Sequence, residues 1–512
     1  MGHGGRLFSS VQGLLALHSR FEQRAYERAS RERAERLQHE MRTAKPSGVF
    51  GAGRLAALSD AASAGLLNAS GLFLGAIAGR MLFFSGDGHL LTYARTGAGK
   101  GRDLVLPNLA HIRDRSVVAV DVKDGELAFA SHAHRAASLG QRCLFLNPFG
   151  LLGLPNTRIN PLQLLVDIIA KGGIIDTEAD EIAQILVPPD PFSKGDGWVR
   201  RGAIRLLALR MEYLAIFDPG RCTLEGLWSF VNAGEEDAHL SFRLMAECGV
   251  EGIARRAEAL FLTFKDAPKQ FEAYRAEAID ALSAFEPGKT LARATAQSDF
   301  NFAALKHEPH TVYLMAPSDK LSVAAPWVSL VLNTLIETIA KERGPVRTTF
   351  LLDEFPQLPR TPATMKALRL YRGKGIQLWF FSQGRYSMEE RWSREAVKEF
   401  EDQASILNTT GVEEPGVIAD IERWSGNTTV LTRGVNHSGG VVEAASANLG
   451  EGRRAVLQSE DIRAIGAGKQ IIKVAGVPHL FVCDRVPYFD VSPWRAQISD
   501  VRALHRGEID AQ

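Results

Sequence analysis

HLLTYARTGAGKGRDLVLPNL, residues 89–109, is the stretch on which the fold turns. An apolar run, a glycine-rich turn and a second apolar run follow in the order of a strand, a phosphate-binding loop and a helix. The strict pattern G-x-x-x-x-G-K-[ST] cradles phosphates in backbone N–H groups, reaches the outer phosphates with lysine and holds Mg²⁺ through a hydroxyl. Here Lys100 is kept, but the first glycine is replaced by Ala94 and the hydroxyl position is Gly101. The candidate nucleotide-binding residues are Thr96, Gly97, Ala98, Gly99, Lys100 and Gly101. A glycine-rich turn between strand and helix can also be purely structural, so the loop needs a second motif.

TTFLLDEF, residues 348–355, is that motif. It ends a short apolar run, which reads as a strand buried on both faces, with two carboxylates at the strand's carboxyl edge. In phosphoryl-transfer sites the first acid holds the metal and the second positions or deprotonates the attacking water. This assigns Asp353 to Mg²⁺ and Glu354 to water. Taken alone, Asp-Glu after a strand reads equally as a helix cap and first turn. QLWFFSQ, 377–383, ends a further strand with Gln383, a donor and acceptor suited to sensing a γ-phosphate. Arg372, in YRGKG, is a candidate finger for a neighbouring subunit's nucleotide, although a surface role is commoner for arginine.

Further apolar runs at 117–121, 143–146, 311–317, 405–410 and 470–474 read as buried strands, and together predict a doubly wound α/β domain. Between about 165 and 290 the pattern becomes helical: Thr177 and Asp180 form a candidate capping pair, and a long helix covers 198–217. An all-α insertion there explains why Lys100 and Asp353 lie so far apart in sequence. Residues 19–44 alternate Arg and Glu over a thin apolar stripe, as in an exposed helix. Formal net charge is +1, so no global positive field marks a nucleic-acid binder and any DNA contact has to be local. Four cysteines without a C-x-x-C pair argue against a disulfide framework and a cysteine zinc site. The uncharged run 61–79 has the length of a membrane span, but its glycines, serines and Asn68 read as loop and short strand.

These motifs, with VVAVDVKDGELA, LNPFG, INPL, TVYLMAP, LLDEFPQLPR and RGKGIQLWFFSQ, occur in the order found in the coupling-protein ATPases of conjugation and type IV secretion. The chain resembles that TraG/TraD-like family over about residues 48–490, including RRAVLQSEDIRAIGAGKQIIKVAGVPHLFVCDRVPYF near the C-terminus. One branch of the family carries glycine after the loop lysine, which makes Gly101 a recurring variant. Mg²⁺ then leans on phosphates, water and Asp353, with Thr96 as a substitute hydroxyl.

The resemblance implies a RecA-like ATPase with a mostly parallel twisted sheet flanked by helices and an inserted all-α domain, using ATP and Mg²⁺ and assembling as a homo-hexamer. Its implied partners are DNA, in particular single-stranded DNA, a relaxase or protein effectors, and the ATPases of a secretion channel. The expected organisation is a basic helical extension (1–47), the first part of the nucleotide domain (48–164), the all-α insertion (165–290), the second part (291–490) and a tail (491–512). Family members commonly begin with transmembrane helices. None is convincing here, so the expectation is a cytoplasmic protein, peripheral at the inner membrane through a separate membrane-anchoring partner or its N-terminal helix. Two alternatives remain open from sequence: a soluble FtsK/HerA-like DNA translocase, and a nucleotide-binding scaffold without turnover.

Overall fold

A computed structural model describes residues 5–189, 197–411, 413–438 and 444–501. Residues 1–4 of the N-terminal extension and 502–512 of the tail lie outside the described residues. The chain divides into two units, residues 56–417 with 465–512, and residues 1–55 with 418–464.

Among the described residues, the larger unit is built on one sheet of eleven strands. In chain order they are β1 (Leu72–Ile77), β2 (Arg80–Phe84), β3 (His89–Ala94), β4 (Ser116–Asp121), β5 (Arg142–Leu146), β6 (His310–Met315), β7 (Thr348–Leu352), β8 (Ile376–Ser382), β9 (Ala404–Thr410), β12 (Lys469–Val474) and β13 (Phe481–Asp484). The two strands between β9 and β12, β10 (Asn427–Ser438) and β11 (Ala444–Ala455), belong to the other unit. Across the sheet the order is β2-β1-β13-β12-β9-β3-β8-β7-β4-β6-β5. Every pairing from β9 to β5 is parallel and every pairing from β9 back to β2 is antiparallel.

The parallel strands β3, β4, β6, β7 and β8 are buried at every residue, which is why their sequences are unbroken apolar runs rather than alternating ones. The antiparallel flank was not legible as such, because QIIKV is apolar enough to pass for a parallel strand. The uncharged run 61–79 resolves into the end of the helix Leu58–Ser63, a turn and β1, where Gly75 (φ +141°) sits at a register shift against β2.

Between β5 and β6 the described residues contain no strand. The insertion includes the helices Gly197–Phe217, Glu235–Ala246, Glu251–Asp266 and Pro268–Leu282. Pro268 stands at the first position of its helix, where its missing N–H costs nothing. Phe242 lies within about ring-contact distance of Phe230, Phe261, Phe264 and Phe271, which gives the insertion its own aromatic core. The helix expected to start from a Thr177/Asp180 capping pair instead begins at Asp176, without a side-chain cap. Among the described residues, one helical stretch, Ser318–Lys341, is long and apolar enough to cross a membrane. Of its apolar window, 78% is buried inside the protein, so it serves as a core helix.

The smaller unit joins the helix Gly5–Thr43 to the β10/β11 hairpin. Gly53 N donates to Asn427 O at 2.9 Å, and Ser47 N donates to Glu451 Oε1 at 2.6 Å. Residues 418–464, read from sequence as part of the nucleotide domain, thus close on residues 1–55.

Candidate nucleotide site

Parallel strands present all their carboxyl ends at one sheet edge, where ligands bind in open α/β folds. Strand order across that edge brings β3, β8, β7 and β4 side by side, so residues far apart in sequence become neighbours. The loop 95–100 leaves β3, Asp353 and Glu354 follow β7, Gln383 follows β8, and Asp121 ends β4.

Gly97 (φ +75°) and Gly99 (φ +83°) hold the loop in the left-handed region that side chains disfavour. After Lys100 the helix opens with one π turn, Gly101–Val105, before Leu106–His111. Such widened turns recur at functional sites. Asn108 fixes this helix against the sheet: its Oδ1 accepts from Phe73 N at 2.8 Å, and its Nδ2 donates to Phe73 O at 2.9 Å and Leu104 O at 2.8 Å.

Lys100 and the acidic pair meet, although 253 residues separate Lys100 from Asp353 in sequence. Lys100 Nζ lies 2.5 Å from Glu354 Oε1 and 3.9 Å from Asp353 Oδ1. Gln383 Nε2 donates to Glu354 Oε2 at 3.2 Å. A further cation stands in the same place: Lys123 Nζ is 3.1 Å from Asp353 Oδ2 and 2.7 Å from Glu354 Oε1. Lys123 was missed as a site residue. Its signal was a lysine two positions past a buried strand in VVAVDVKDGELA, but nothing in the sequence says that β4 lies beside β7.

Burial works to raise the Glu354 carboxyl, yet the hydrogen bonds and charges of Lys100 and Lys123 outweigh it and hold the group at about 2. Burial likewise works against the Lys123 charge, and Asp353 and Glu354 reverse that and raise it. Glu354 also has φ +49° and ψ +41°, a left-handed conformation that costs a non-glycine residue roughly 1–2 kcal/mol and clusters at functional positions. Asp121 is fully buried, and burial pushes its carboxyl up to about 7. Its Oδ2 accepts from Leu127 N and Ala128 N at 2.8 and 2.9 Å, capping the helix Glu126–Ala137.

The residues fit a divalent cation at Asp353, whose buried Oδ1 has no hydrogen-bond partner among the described residues. Thr96 is exposed in the loop. A Cβ built on Gly101 meets nothing within 4 Å, so packing does not impose glycine there. Arg372 lies away from this edge: it precedes β8, at the opposite end of the strand from Gln383, and pairs with Asp87 at 2.6 Å. A seven-residue strand spans roughly 20 Å, which removes Arg372 from its own chain's nucleotide site.

A sequence model described as type IV secretory system conjugative DNA transfer matches residues 54–508. Two proteins named conjugal transfer protein TraG from Escherichia coli are 25% and 24% identical over 432 and 435 residues, each covering 78% of this chain. The matches cover 66% and 67% of those proteins, so the chain spans about two thirds of their length. Among solved structures, the unbound bacterial conjugative coupling protein TrwBΔN70 superposes with a TM-score of 0.61 at 16% identity, covering 87% of this chain and 95% of that one. The plasmid coupling protein TrwB in complex with ADP and Mg²⁺ gives 0.61 at 15% identity, covering 85% and 93%. At these identities the likeness establishes the fold.

Proposed function

Because the chain belongs to the type IV secretory system conjugative DNA transfer family, we propose that it is an ATP-driven coupling motor. It delivers DNA carried by a relaxase, or protein effectors, to a secretion channel. The observation that carries this reading is the meeting of Lys100 with Asp353, Glu354 and Gln383 at one sheet edge.

On this reading the loop amides and Lys100 take the nucleotide's phosphates, and Lys100 leaves Glu354 to do so. Asp353 and Thr96 are the side chains available to Mg²⁺, which would neutralise charge developing on the phosphates. Glu354, freed of Lys100, orients the attacking water, and Gln383 links Glu354 to the presence of a γ-phosphate. Arg372, at the far edge, serves the nucleotide of the next subunit in a homo-hexamer. Family membership favours this over an FtsK/HerA-like translocase, and retention of a purified relaxase by the full chain would separate the two.

The decisive experiment is ATP hydrolysis by the full chain with and without single-stranded DNA, beside Lys100→Ala and Glu354→Gln. Expected is DNA-stimulated turnover, lost in Lys100→Ala, and lowered about 10²-fold or more in Glu354→Gln with nucleotide binding retained. A second reading, a scaffold that binds ATP without turning it over, is favoured by Gly101 and by the lysine clamp on Glu354. Wild-type binding without turnover, with or without DNA, would select it.

A further inference from the structure

Two arginines from distant parts of the chain meet at the phosphate loop. A Cβ built on Gly99 would lie 2.7 Å from Nη2 of Arg485 and 2.8 Å from Nη2 of Arg102. Arg102 follows Lys100 by two positions, whereas Arg485 is the first residue after β13. Asp103, 2% exposed, stands between them. Its Oδ1 accepts from Arg102 Nε at 2.5 Å, and its Oδ2 accepts from Arg102 Nη2 at 3.0 Å and from Arg485 Nη2. Arg485 Nη1 donates to Ala467 O at 2.5 Å.

An anchor tying β13 to the loop helix needs one guanidinium and one carboxylate. Here a second guanidinium shares the same carboxylate, and Asp490 is a further acid whose charge reaches Arg102. Each arginine carries five N–H donors. Asp103 and the Ala467 carbonyl leave some of them unpartnered on both arginines among the described residues. The Arg485 side chain is only 7% exposed, so water is poorly placed to satisfy it. Within the loop, Lys100 is occupied by Glu354 and Arg95 by Glu413. The site therefore keeps free guanidinium donors next to the loop, in the planar fork that matches phosphate oxygens.

We propose that Arg102 and Arg485 form a cationic jaw for the phosphates of the bound nucleotide, with Asp103 holding both guanidiniums at Gly99. This rests on the nucleotide-site reading above and extends it to two residues with no role at the site assigned from sequence. It also makes the antiparallel flank of the sheet part of nucleotide recognition, because Arg485 leaves β13.

The test is equilibrium binding of fluorescent ADP and of non-hydrolysable ATP and GTP analogues, in EDTA and in Mg²⁺, to the full chain and to R485Q, R485K, R102Q and K100A. Each glutamine variant is expected to weaken binding about tenfold, the loss of one charge-assisted hydrogen bond, by the same factor for adenine and guanine nucleotides. R485K should recover only part of the affinity, since lysine lacks the fork. Arg102 is half exposed, so R102Q should lower the nucleotide-free melting temperature less than R485Q does, which keeps the test valid even if R485Q unfolds. If wild type binds, K100A does not, and R102Q and R485Q match wild type, the arginine assignment is overturned while the nucleotide site stands. Losses that differ between adenine and guanine would overturn the assignment to phosphates. A wild type that binds no nucleotide overturns both readings.

Discussion

Glu354 accepts at Oε1 from Lys100 and Lys123 and at Oε2 from Gln383, so the oxygen that keeps acceptor capacity for a water is Oε2. Incoming phosphates must compete with this carboxylate for Lys100. Gly101 belongs to the same scale. With open space around its Cβ position and no positive φ, Gly101→Ser should fold with unchanged or slightly raised stability, since serine is the better helix former. If the missing hydroxyl weakens the metal, this variant should also lower the Mg²⁺ concentration needed for half-maximal nucleotide binding. An unchanged Mg²⁺ requirement would show that the hydroxyl is not what the site lacks.

Two buried groups give opposing pH dependences. Burial pushes Asp121 up to about 7 from an unfolded value of 3.8, so between those limits the folded state holds a proton the unfolded state has released, and stability falls as pH rises. Burial pushes His89 down to about 4 from 6.5, so there the unfolded state binds the extra proton, and stability falls as pH drops. At roughly 1.4 kcal/mol per unit of displacement the two offset each other across the acidic range. Asp121→Asn, which mimics the protonated acid, should therefore raise the melting temperature at pH 8 by more than at pH 5. An equal shift at both pH values would contradict the assignment.

At the scale of elements, the phosphate loop depends on what holds its helix down. Asn108 makes three buried hydrogen bonds, two of them to Phe73 in β1. Asn108→Ala leaves backbone groups without partners and should cost about 2–3 kcal/mol in urea unfolding, with nucleotide affinity falling as the loop helix loosens. A change under 0.5 kcal/mol would show that the helix is held by apolar packing alone. The acidic turn after β7 works differently: its left-handed Glu354 contacts Lys100, Lys123 and Gln383, which follow β3, β4 and β8. The strand itself was readable from TTFLL, but the conformation of the residue after it was not, because it is imposed by side chains from other strands.

At the scale of the molecule, Arg372 lies at the opposite sheet edge from its own chain's nucleotide site, where Asp87 holds it. This predicts complementation. Arg372→Ala and Lys100→Ala should each lose turnover, the former by about 10³-fold or more. Mixed in equal amounts before assembly, they should regain activity at about a quarter of sites, where a K100A subunit lends its arginine to an R372A neighbour in a cyclic ring. No recovery on mixing, in rings shown by light scattering to contain both variants, would remove Arg372 from the catalytic cycle.

The sequence by itself determined where most of the sheet's strands lie, because their largely apolar runs suit burial on both faces, but not which of them run parallel. It also determined the loop lysine, the acidic pair, the terminal glutamine and the helical character of the insertion, whose signals are local. Tertiary structure alone decided which strands are neighbours. Adjacency across a sheet leaves no trace in any one segment, and it is adjacency that carries Lys123 to the acidic pair, Arg485 to Gly99 and Arg372 away from both.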